Sequence, residues 1–296
     1  MRAVPPSEIL PLIRAALRED LPQGDVTTVA LFPSALPAQA VIRAKHPMTV
    51  AGVAVARTVF REVDPRLTIR SAVRDGSSLR AGAAVMTIRG DARSLLKAER
   101  VALNFLQRMS GIATLTARFV AAVRGTRAKI LDTRKTAPGL RVFDKWAVRL
   151  GGGTNHRCSL SDGILIKDNH LALLQDHRMD AGLACHRARD RAPRKLRMTV
   201  EAESLDQVRA ALFGRPDVIL LDNMSPTRVK AAVVIIDGQA LVEVSGGMTL
   251  AKARRMAAAG ADFISVGSLT HSVPAADLSM DVAPLRLNPH RRRRAG

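Results

Sequence analysis

Residues 131–170 read LDTRKTAPGLRVFDKWAVRLGGGTNHRCSLSDGILIKDNH. A short apolar run ends at Leu131, a helical pattern follows at 141–150, and a second apolar run, ILI, occupies 164–166. A strand, a helix and a strand in this order predict two parallel strands joined by a crossover helix. The segment therefore points to an α/β fold.

Five cationic or cationisable side chains lie at or beside the ends of these elements: Arg134, Lys135, His156, Arg157 and Lys167. The triple glycine 151–153 precedes two of them. Such a set favours a ligand with several negative charges, as carboxylates or phosphates have. A solvated basic surface is the alternative, since arginine is abundant throughout the chain.

The same alternation continues outward along the chain. Short apolar runs occupy 128–131, 164–166, 196–200, 217–221, 240–244 and 262–266, with helical patterns at 141–150, 171–191, 205–212, 226–234 and 250–259. Six such units favour a parallel sheet closing into an α/β barrel. Polar or glycine residues follow every run, and ligands of barrels bind at the carboxyl ends of the strands.

Two carboxylates, Glu201 and Asp222, follow neighbouring strands. They fit an acid/base pair, a Mg²⁺ site or an anchor for sugar hydroxyls, and equally a structural ion pair with nearby arginines.

Two glycine-containing turns follow the last two strands: Ser245-Gly246-Gly247 and Val266-Gly267-Ser268. Backbone N–H groups at such turns favour a phosphate site, the alternative being plain strand-to-helix turns.

The first third of the chain has a different pattern. An amphipathic helix is predicted around 9–17, a turn at 23–28 is interpreted as a helix cap, and 38–90 is interpreted as a small β-rich unit. A long helix is predicted over 92–123, with Gly111 as a possible kink. Composition alone puts Arg100, on this helix, at the surface.

Composition limits the function classes. The net charge of +20 raises nucleic-acid binding as a hypothesis, but basic residues are spread over the chain and aromatics are only 3%, which argues against that partner. The arginine run at 291–294 is interpreted as a disordered tail.

Two cysteines predict no disulfide framework, and no stretch reaches membrane-spanning length. We therefore expect a cytoplasmic protein without a membrane partner.

Several longer motifs resemble one family: EDLPQGDVTT (19–28), ERVALNFLQRMSGIAT (99–114), LDTRKTAPGLR (131–141), GGGTNHRCSLSDGILIKDNH (151–170), VEAES (200–204), ILLDN (219–223), EVSGGMT (243–249) and DFISVGSLTHSVPAADLSM (262–280). The chain resembles the quinolinate phosphoribosyltransferases (nicotinate-nucleotide pyrophosphorylases, carboxylating), type II phosphoribosyltransferases of NAD biosynthesis. The resemblance covers nearly the whole chain.

This resemblance implies a fold and a reaction. The expected fold is an N-terminal α/β sandwich over 1–112, joined by a C-terminal return at 274–296, and an incomplete α/β barrel over 113–273. The implied reaction converts quinolinate and phosphoribosyl pyrophosphate, with Mg²⁺, into nicotinate mononucleotide, pyrophosphate and CO₂. A homodimer with a shared active site is implied as well.

The resemblance also assigns residues. It implies a dicarboxylate pocket of Arg100, Arg134, His156, Arg157 and Lys167, with Thr133 also binding substrate and Arg100 reaching the pocket of the neighbouring subunit. It implies catalytic roles for Lys135, Glu201 and Asp222, the two carboxylates lying beside the ribose hydroxyls and the metal. It implies a 5-phosphate site of Ser245, Gly246, Gly247, Val266, Gly267 and Ser268.

The chain departs from the family pattern at Phe143-Asp144-Lys145-Trp146, which could alter the pocket edge, and in its basic tail. The rival hypotheses are a molybdenum-transport-associated paralogue, a phosphoribosyltransferase for another pyridine acid, a nucleic-acid-binding protein and a non-catalytic barrel.

Overall fold

The computed structural model describes residues 5–174, 179–193 and 195–285. It divides into two compact units, Met1–Thr114 with Pro274–Gly296 and Leu115–Val273. The arginine run at 291–294 lies outside the described residues. Within the described residues, no helix combines the length and apolar character needed to cross a membrane.

The first unit combines helices with an antiparallel sheet. Its elements are α1 (Pro6–Asp20), α2 (Val26–Leu31), β1 (Pro37–Ala44), β2 (Met48–Thr49), α3 (Val53–Val63), β3 (Thr68–Ser71), β4 (Ser78–Leu79), β5 (Ala84–Asp91) and β12 (Leu278–Pro284). The sheet order is β12-β1-β5-β3, and β2 pairs with β4. Alternate residues of β1 are buried, and Ile13 of α1 and Phe60 of α3 are fully buried. The unit thus combines buried helices with a sheet strand that has one buried face, which confirms its α/β class.

The helix α3 shows that the β-rich interpretation of 38–90 was wrong over this segment. Its buried residues Val55, Ala56, Val59 and Phe60 recur at helical spacing. The Asp75 carboxylate accepts hydrogen bonds from the backbone N–H groups of Val53 (2.8 Å) and Ala54 (3.2 Å), so it caps the helix start. The valines suggested a strand because β-branched residues are common there.

The turn at 23–28 is a helix cap, as predicted. The Asp25 carboxylate accepts a hydrogen bond from the backbone N–H of Thr28 at 2.9 Å, at the start of α2. The hydrogen bonds hold the pKa of Asp25 below its usual value.

The second unit is built on a parallel sheet of six strands in the order β6-β11-β10-β9-β8-β7. The strands are β6 (Lys129–Leu131), β7 (Ile164–Ile166), β8 (Met198–Ala202), β9 (Val218–Asp222), β10 (Leu241–Ser245) and β11 (Phe263–Ser265). The helices are α5 (Arg141–Leu150), α6 (Asp168–Leu174), α7 (Ala181–Arg191), α8 (Leu205–Phe213), α9 (Pro226–Ile236), α10 (Leu250–Ala258) and α11 (Ser268–His271), preceded by α4 (Ala92–Ala122). The strands β6 and β7 lie at the two ends of this order and do not pair with each other, so the sheet does not close. This confirms the predicted incomplete α/β barrel.

Two details of the second unit differ from the sequence pattern. Leu131 also forms an isolated parallel bridge with Thr154, which extends the sheet beyond β6. The predicted helix 171–191 is replaced by α6 and α7, with residues 175–178 outside the description. Asp180 starts α7 by accepting a hydrogen bond from the backbone N–H of Leu183 at 2.9 Å.

Gly111 marks a close approach rather than a kink, because α4 continues through it. A Cβ atom at this position would lie 2.2 Å from the carbonyl oxygen of Pro274. Only glycine allows the backbone entering β12 to pass this close to the helix.

Substitution of Gly111 by alanine should lower the free energy of unfolding by about 1–3 kcal/mol through overpacking. This is opposite in sign to the gain of about 1 kcal/mol that helix propensity alone would give. Asn104→Ala, at an exposed position of the same helix, is the control and should be neutral or slightly stabilising. Urea unfolding measures both, and a stabilised Gly111→Ala protein would contradict the packing argument.

Candidate active site

An open pocket of about 380 Å³ lies at the carboxyl ends of the strands in the second unit. It is lined by nine of the residues singled out in the sequence: Thr133, Arg134, Lys135, His156, Arg157, Lys167, Glu201, Asp222 and Ser245. Leu165, Asp168, Leu220, Glu243 and Ser265 complete the lining. Residues spread over more than a hundred positions meet here because parallel strands end at one edge of the sheet.

A buried ion pair holds the loop that carries His156 and Arg157. The Lys145 ammonium lies 2.5 Å from Oδ1 of Asp132, and the Lys145 and Asp132 side chains are 6% and 0% exposed. Asp132 also accepts hydrogen bonds from Asn155 Nδ2 (2.5 Å) and the backbone N–H of His156 (2.8 Å). Burial raises the pKa of Asp132, and the Lys145 charge opposes that shift. The loop position thus depends on a carboxylate both of whose oxygens accept hydrogen bonds.

Arg141 ties three further parts of the pocket wall together. Its guanidinium donates to the hydroxyl of Thr136 (3.1 Å) and to the carbonyl oxygens of Cys158 (2.9 Å) and Arg134 (3.4 Å). One planar group with several donors can bind three acceptors only when they are already in place. Arg141 therefore fixes the backbone on which Arg134 stands.

The cationic side chains are placed to receive an anion. Burial and the nearby charge of Arg134 lower the pKa of Arg157, whose guanidinium donates to the carbonyl of Gly163 at 3.0 Å. Within the described residues, the buried Nε of Arg134 has no hydrogen-bond partner. A buried donor without an acceptor is costly, so an anionic ligand at this position would relieve it.

The two carboxylates of the pocket lie on the adjacent strands β8 and β9. Burial raises the pKa of Glu201, the Asp222 charge adds to the rise, and Lys167 opposes it. Asp222 accepts a hydrogen bond from Asn223 Nδ2 at 2.7 Å. No cluster of three or more metal-ligating side chains occurs among the described residues. Two carboxylates nevertheless suit Mg²⁺, which usually keeps waters and takes further oxygens from substrate phosphates.

The glycine turn after β10 packs closely on Asn223. A Cβ atom on Gly246, whose φ is +99°, would lie 2.0 Å from Oδ1 of Asn223. The Lys252 ammonium donates to the carbonyl of Gly246 at 2.5 Å. Gly246 and Gly247 follow the lining residue Ser245 without lining the pocket themselves. The loop is therefore packed against Asn223 on one side and bound by Lys252 on the other.

The second glycine turn is linked to Lys135. A Cβ atom on Gly267 would lie 3.3 Å from Cδ of Lys135, and the Thr270 hydroxyl donates to the Lys135 carbonyl at 2.7 Å. The pocket lining includes neither Val266, which is buried, nor Ser268, the first residue of α11. Arg100, an exposed residue of α4, belongs to the first unit.

The segment Phe143–Trp146 does not line the pocket edge. Phe143, Lys145 and Trp146 are buried in α5, with Lys145 directed at Asp132. Sequence reasoning missed the roles of Asp132, Lys145, Asn155 and Glu243. A signal existed for Glu243, since a charged residue within the apolar strand LVEVS needs a buried partner.

Comparisons with known proteins point to the same family over most of the chain. Sequence profiles of the quinolinate phosphoribosyl transferase C-terminal and N-terminal domains match residues 112–281 and 25–110. The nicotinate-nucleotide pyrophosphorylase [carboxylating] of Mycobacterium leprae is 45% identical over 278 residues, covering 91% of this chain and 95% of that protein. The probable enzyme of the same name from Bacillus subtilis is 40% identical over 268 residues, covering 89% and 90%. The crystal structure of NadC from Streptococcus pyogenes superposes with a TM-score of 0.90 at 41% identity, covering 95% and 100%.

Removing the Lys145 ammonium should destabilise the protein strongly. Lys145→Met leaves the Asp132 carboxylate buried without its counter-ion, which costs about 3–5 kcal/mol of unfolding free energy. In the double variant Lys145→Met, Asp132→Asn, no unpaired carboxylate remains, so part of the lost unfolding free energy should be restored. Arg14–Glu62, whose side chains are 58% and 24% exposed, is the control pair, and Glu62→Gln should change stability little because water screens this pair. Equal losses in chemical denaturation for Lys145→Met and Glu62→Gln would refute the assignment.

Glu201→Gln should raise thermal stability at neutral pH. The pKa of Glu201 in the folded protein lies above its ordinary value of 4.5, so ionisation of Glu201 favours the unfolded chain. The free energy of unfolding therefore falls as the pH rises from 4.5 through the folded pKa of Glu201. The melting temperature of Glu201→Gln should exceed that of the wild type at pH 7 and match it below pH 4. Glu203→Gln, at an exposed position, is the control and should show no such difference. A lower melting temperature at pH 7 would contradict the sign.

Proposed function

The chain belongs to the quinolinate phosphoribosyltransferase family, and from that premise we propose which residues carry out its reaction. It is a pentosyltransferase of NAD biosynthesis. It joins the phosphoribosyl group of phosphoribosyl pyrophosphate to the ring nitrogen of quinolinate and releases pyrophosphate and CO₂, giving nicotinate mononucleotide. The observation that supports the residue assignment best is that Arg134, Arg157 and Lys167 line one pocket with Glu201 and Asp222.

The two carboxylates of quinolinate are bound by Arg134, Arg157 and Lys167. Guanidinium groups bind carboxylates through paired hydrogen bonds, and the ammonium adds charge. The partnerless Nε of Arg134 and the lowered pKa of Arg157 support this, because both costs fall when a dianion enters. His156 and Thr133 belong to the same binding surface, beside these groups.

Glu201 and Asp222 act on the ribose side. As the bond to pyrophosphate breaks, the anomeric carbon gains positive charge, which nearby carboxylates stabilise. They would also hold Mg²⁺, which when bound neutralises charge on the departing pyrophosphate. Lys135 lies between the acid and the phosphoribosyl group. The turns Ser245-Gly246-Gly247 and Val266-Gly267-Ser268 receive the 5-phosphate through backbone N–H groups.

Decarboxylation needs little from the protein beyond positioning. Once the ring nitrogen carries the ribose, it is positively charged and accepts the electron pair left when the C2–carboxylate bond breaks. CO₂ leaves, and C2 then takes a proton. The covalent position of the 2-carboxylate, next to the charged nitrogen, decides which carboxylate is lost, and the arginines contribute by holding the ring with its nitrogen towards the anomeric carbon.

The assembly and location are proposals as well. We propose a homodimer in which Arg100 of one copy completes the pocket of the other, and functional domains of 1–112 with 274–296 and 113–273. The free cysteines Cys158 and Cys185 are compatible with the reducing cytoplasm that we propose.

Formation of nicotinate mononucleotide from quinolinate, phosphoribosyl pyrophosphate and Mg²⁺ tests the residue roles. Arg134→Ala and Lys167→Ala should each lower kcat/KM for quinolinate by at least about 10–100-fold, the value of a charged hydrogen bond. Arg209→Ala, on the exposed face of α8, is the matched control and should retain activity. Full activity of a folded Arg134→Ala protein, or equal use of nicotinate, would overturn the assignment.

Mixing two inactive variants tests the shared site. Arg100→Ala and Arg134→Ala proteins, each with little activity alone, should recover about a quarter of wild-type activity after co-refolding, since half of the dimers are mixed and each has one intact site. Mixing Arg134→Ala with Lys167→Ala is the control and should give no recovery. Absence of recovery in the first mixture, with dimers present, would show that the site is not shared.

A further inference from the structure

Glu243 is a buried acid that the reaction as described does not use. It lies in the middle of β10 and is 2% exposed. Its side chain lines the pocket above and also a second cavity of about 310 Å³, whose walls include Leu131, Arg197 and Phe263. His156 and Arg157 line both cavities too. Glu243 therefore stands at the floor of the active site.

Among the described residues, the carboxylate of Glu243 has two polar side-chain contacts. The Ser265 hydroxyl donates a hydrogen bond to Oε1. Nε2 of His156 lies 3.4 Å from the same oxygen, with the His156 and Glu243 side chains 16% and 3% exposed. A buried carboxylate needs donors: the Ser265 hydroxyl provides one hydrogen bond, and the His156 ring lies in contact with the same oxygen.

The other ring nitrogen of His156 decides the tautomer. Nδ1 accepts a hydrogen bond from the backbone N–H of Arg157 at 2.7 Å, so it carries a lone pair and no proton. The ring proton is then on Nε2, the nitrogen that faces Glu243.

The backbone of His156 is fixed independently. Its N–H donates to Asp132 at 2.8 Å, and its carbonyl accepts from Lys145 at 2.9 Å. With the main chain held, the remaining freedom of this residue is the rotation and tautomer of the ring. Glu243 is the group placed to control both.

We propose that Glu243 is a positioning residue for the transfer reaction. Its carboxylate holds His156 as the Nε2–H tautomer, which leaves Nδ1 free to accept the Arg157 N–H and thereby sets the direction of the Arg157 side chain. The inference rests on the proposed function, because Arg157 is the group that meets the substrate carboxylate. In this role Glu243 acts through His156.

The charge-neutral variant Glu243→Gln tests this in two ways. Long-range ¹H–¹⁵N correlation spectra report the tautomer of each of the seven histidines, and His156→Asn identifies the signal of His156. Wild-type protein should show Nε2–H, and Glu243→Gln should show a mixture. In steady-state assays KM for quinolinate should rise about tenfold, while KM for phosphoribosyl pyrophosphate changes less than twofold.

Three further variants separate positioning from packing. Glu243→Asp keeps the charge and should recover part of the tautomer preference and of the quinolinate KM. Glu243→Leu fills the volume without a carboxylate and should behave like Glu243→Gln in kinetics. Glu203→Gln, an exposed Glu-to-Gln change just after β8, should alter neither measurement.

An unchanged His156 tautomer in Glu243→Gln would overturn the proposal, as would an equal rise of both KM values. The spectra need no turnover. Failure of the quinolinate reaction would therefore appear in the wild-type assay, separately from failure of the Glu243–His156 contact.

Discussion

The candidate active site depends on the carboxylate of Asp132, which directly follows β6. Its oxygens accept from Lys145 Nζ, Asn155 Nδ2 and the His156 backbone, so one buried anion joins a strand end, the helix α5 and the loop 154–157. In low dielectric such a group is tolerable only with its counter-ion and donors in place. The position of the loop therefore follows from these contacts, and it sets where the pocket-lining residues His156 and Arg157 lie.

The pocket itself is electrostatically unfavourable when nothing is bound. Burial and like charge lower the pKa of Arg157 and raise that of Glu201, so on each side of the site the protein works against the ionised form. A ligand with anionic groups near the arginines and a cationic centre near the carboxylates would remove both costs. The hydrogen bonds of Asp132 and Arg141 hold these charged groups in place before a ligand binds. Electrostatic catalysis requires such preorganisation.

Much of this could be predicted from sequence, because strand–helix alternation fixes where side chains at strand ends meet. Lys167, Glu201 and Asp222 could be placed in one site by that rule alone. The helix α3 could not be recognised in the same way, since valines at 53, 55 and 59 fit either period until the Asp75 cap is known. Contacts that depend on side-chain direction were also missed. In the sequence, Glu243 stands out as a charged residue within an apolar strand. Its proximity to His156 follows only from the three-dimensional packing.

The pairing of β12 with β1 has a consequence for biosynthesis. The strand Leu278–Pro284 pairs with β1 from Ala38 to Ala44, although more than two hundred residues separate them. A ribosome delivers the chain from its N-terminus, so all of the second unit is made before the first sheet can close. Until then β1 has an unpaired edge, the kind of surface on which other strands assemble. The second unit can thus fold before β12, the last strand of the first unit's sheet, has been synthesised. A chain cut short before Leu278 would lack that strand of the first sheet.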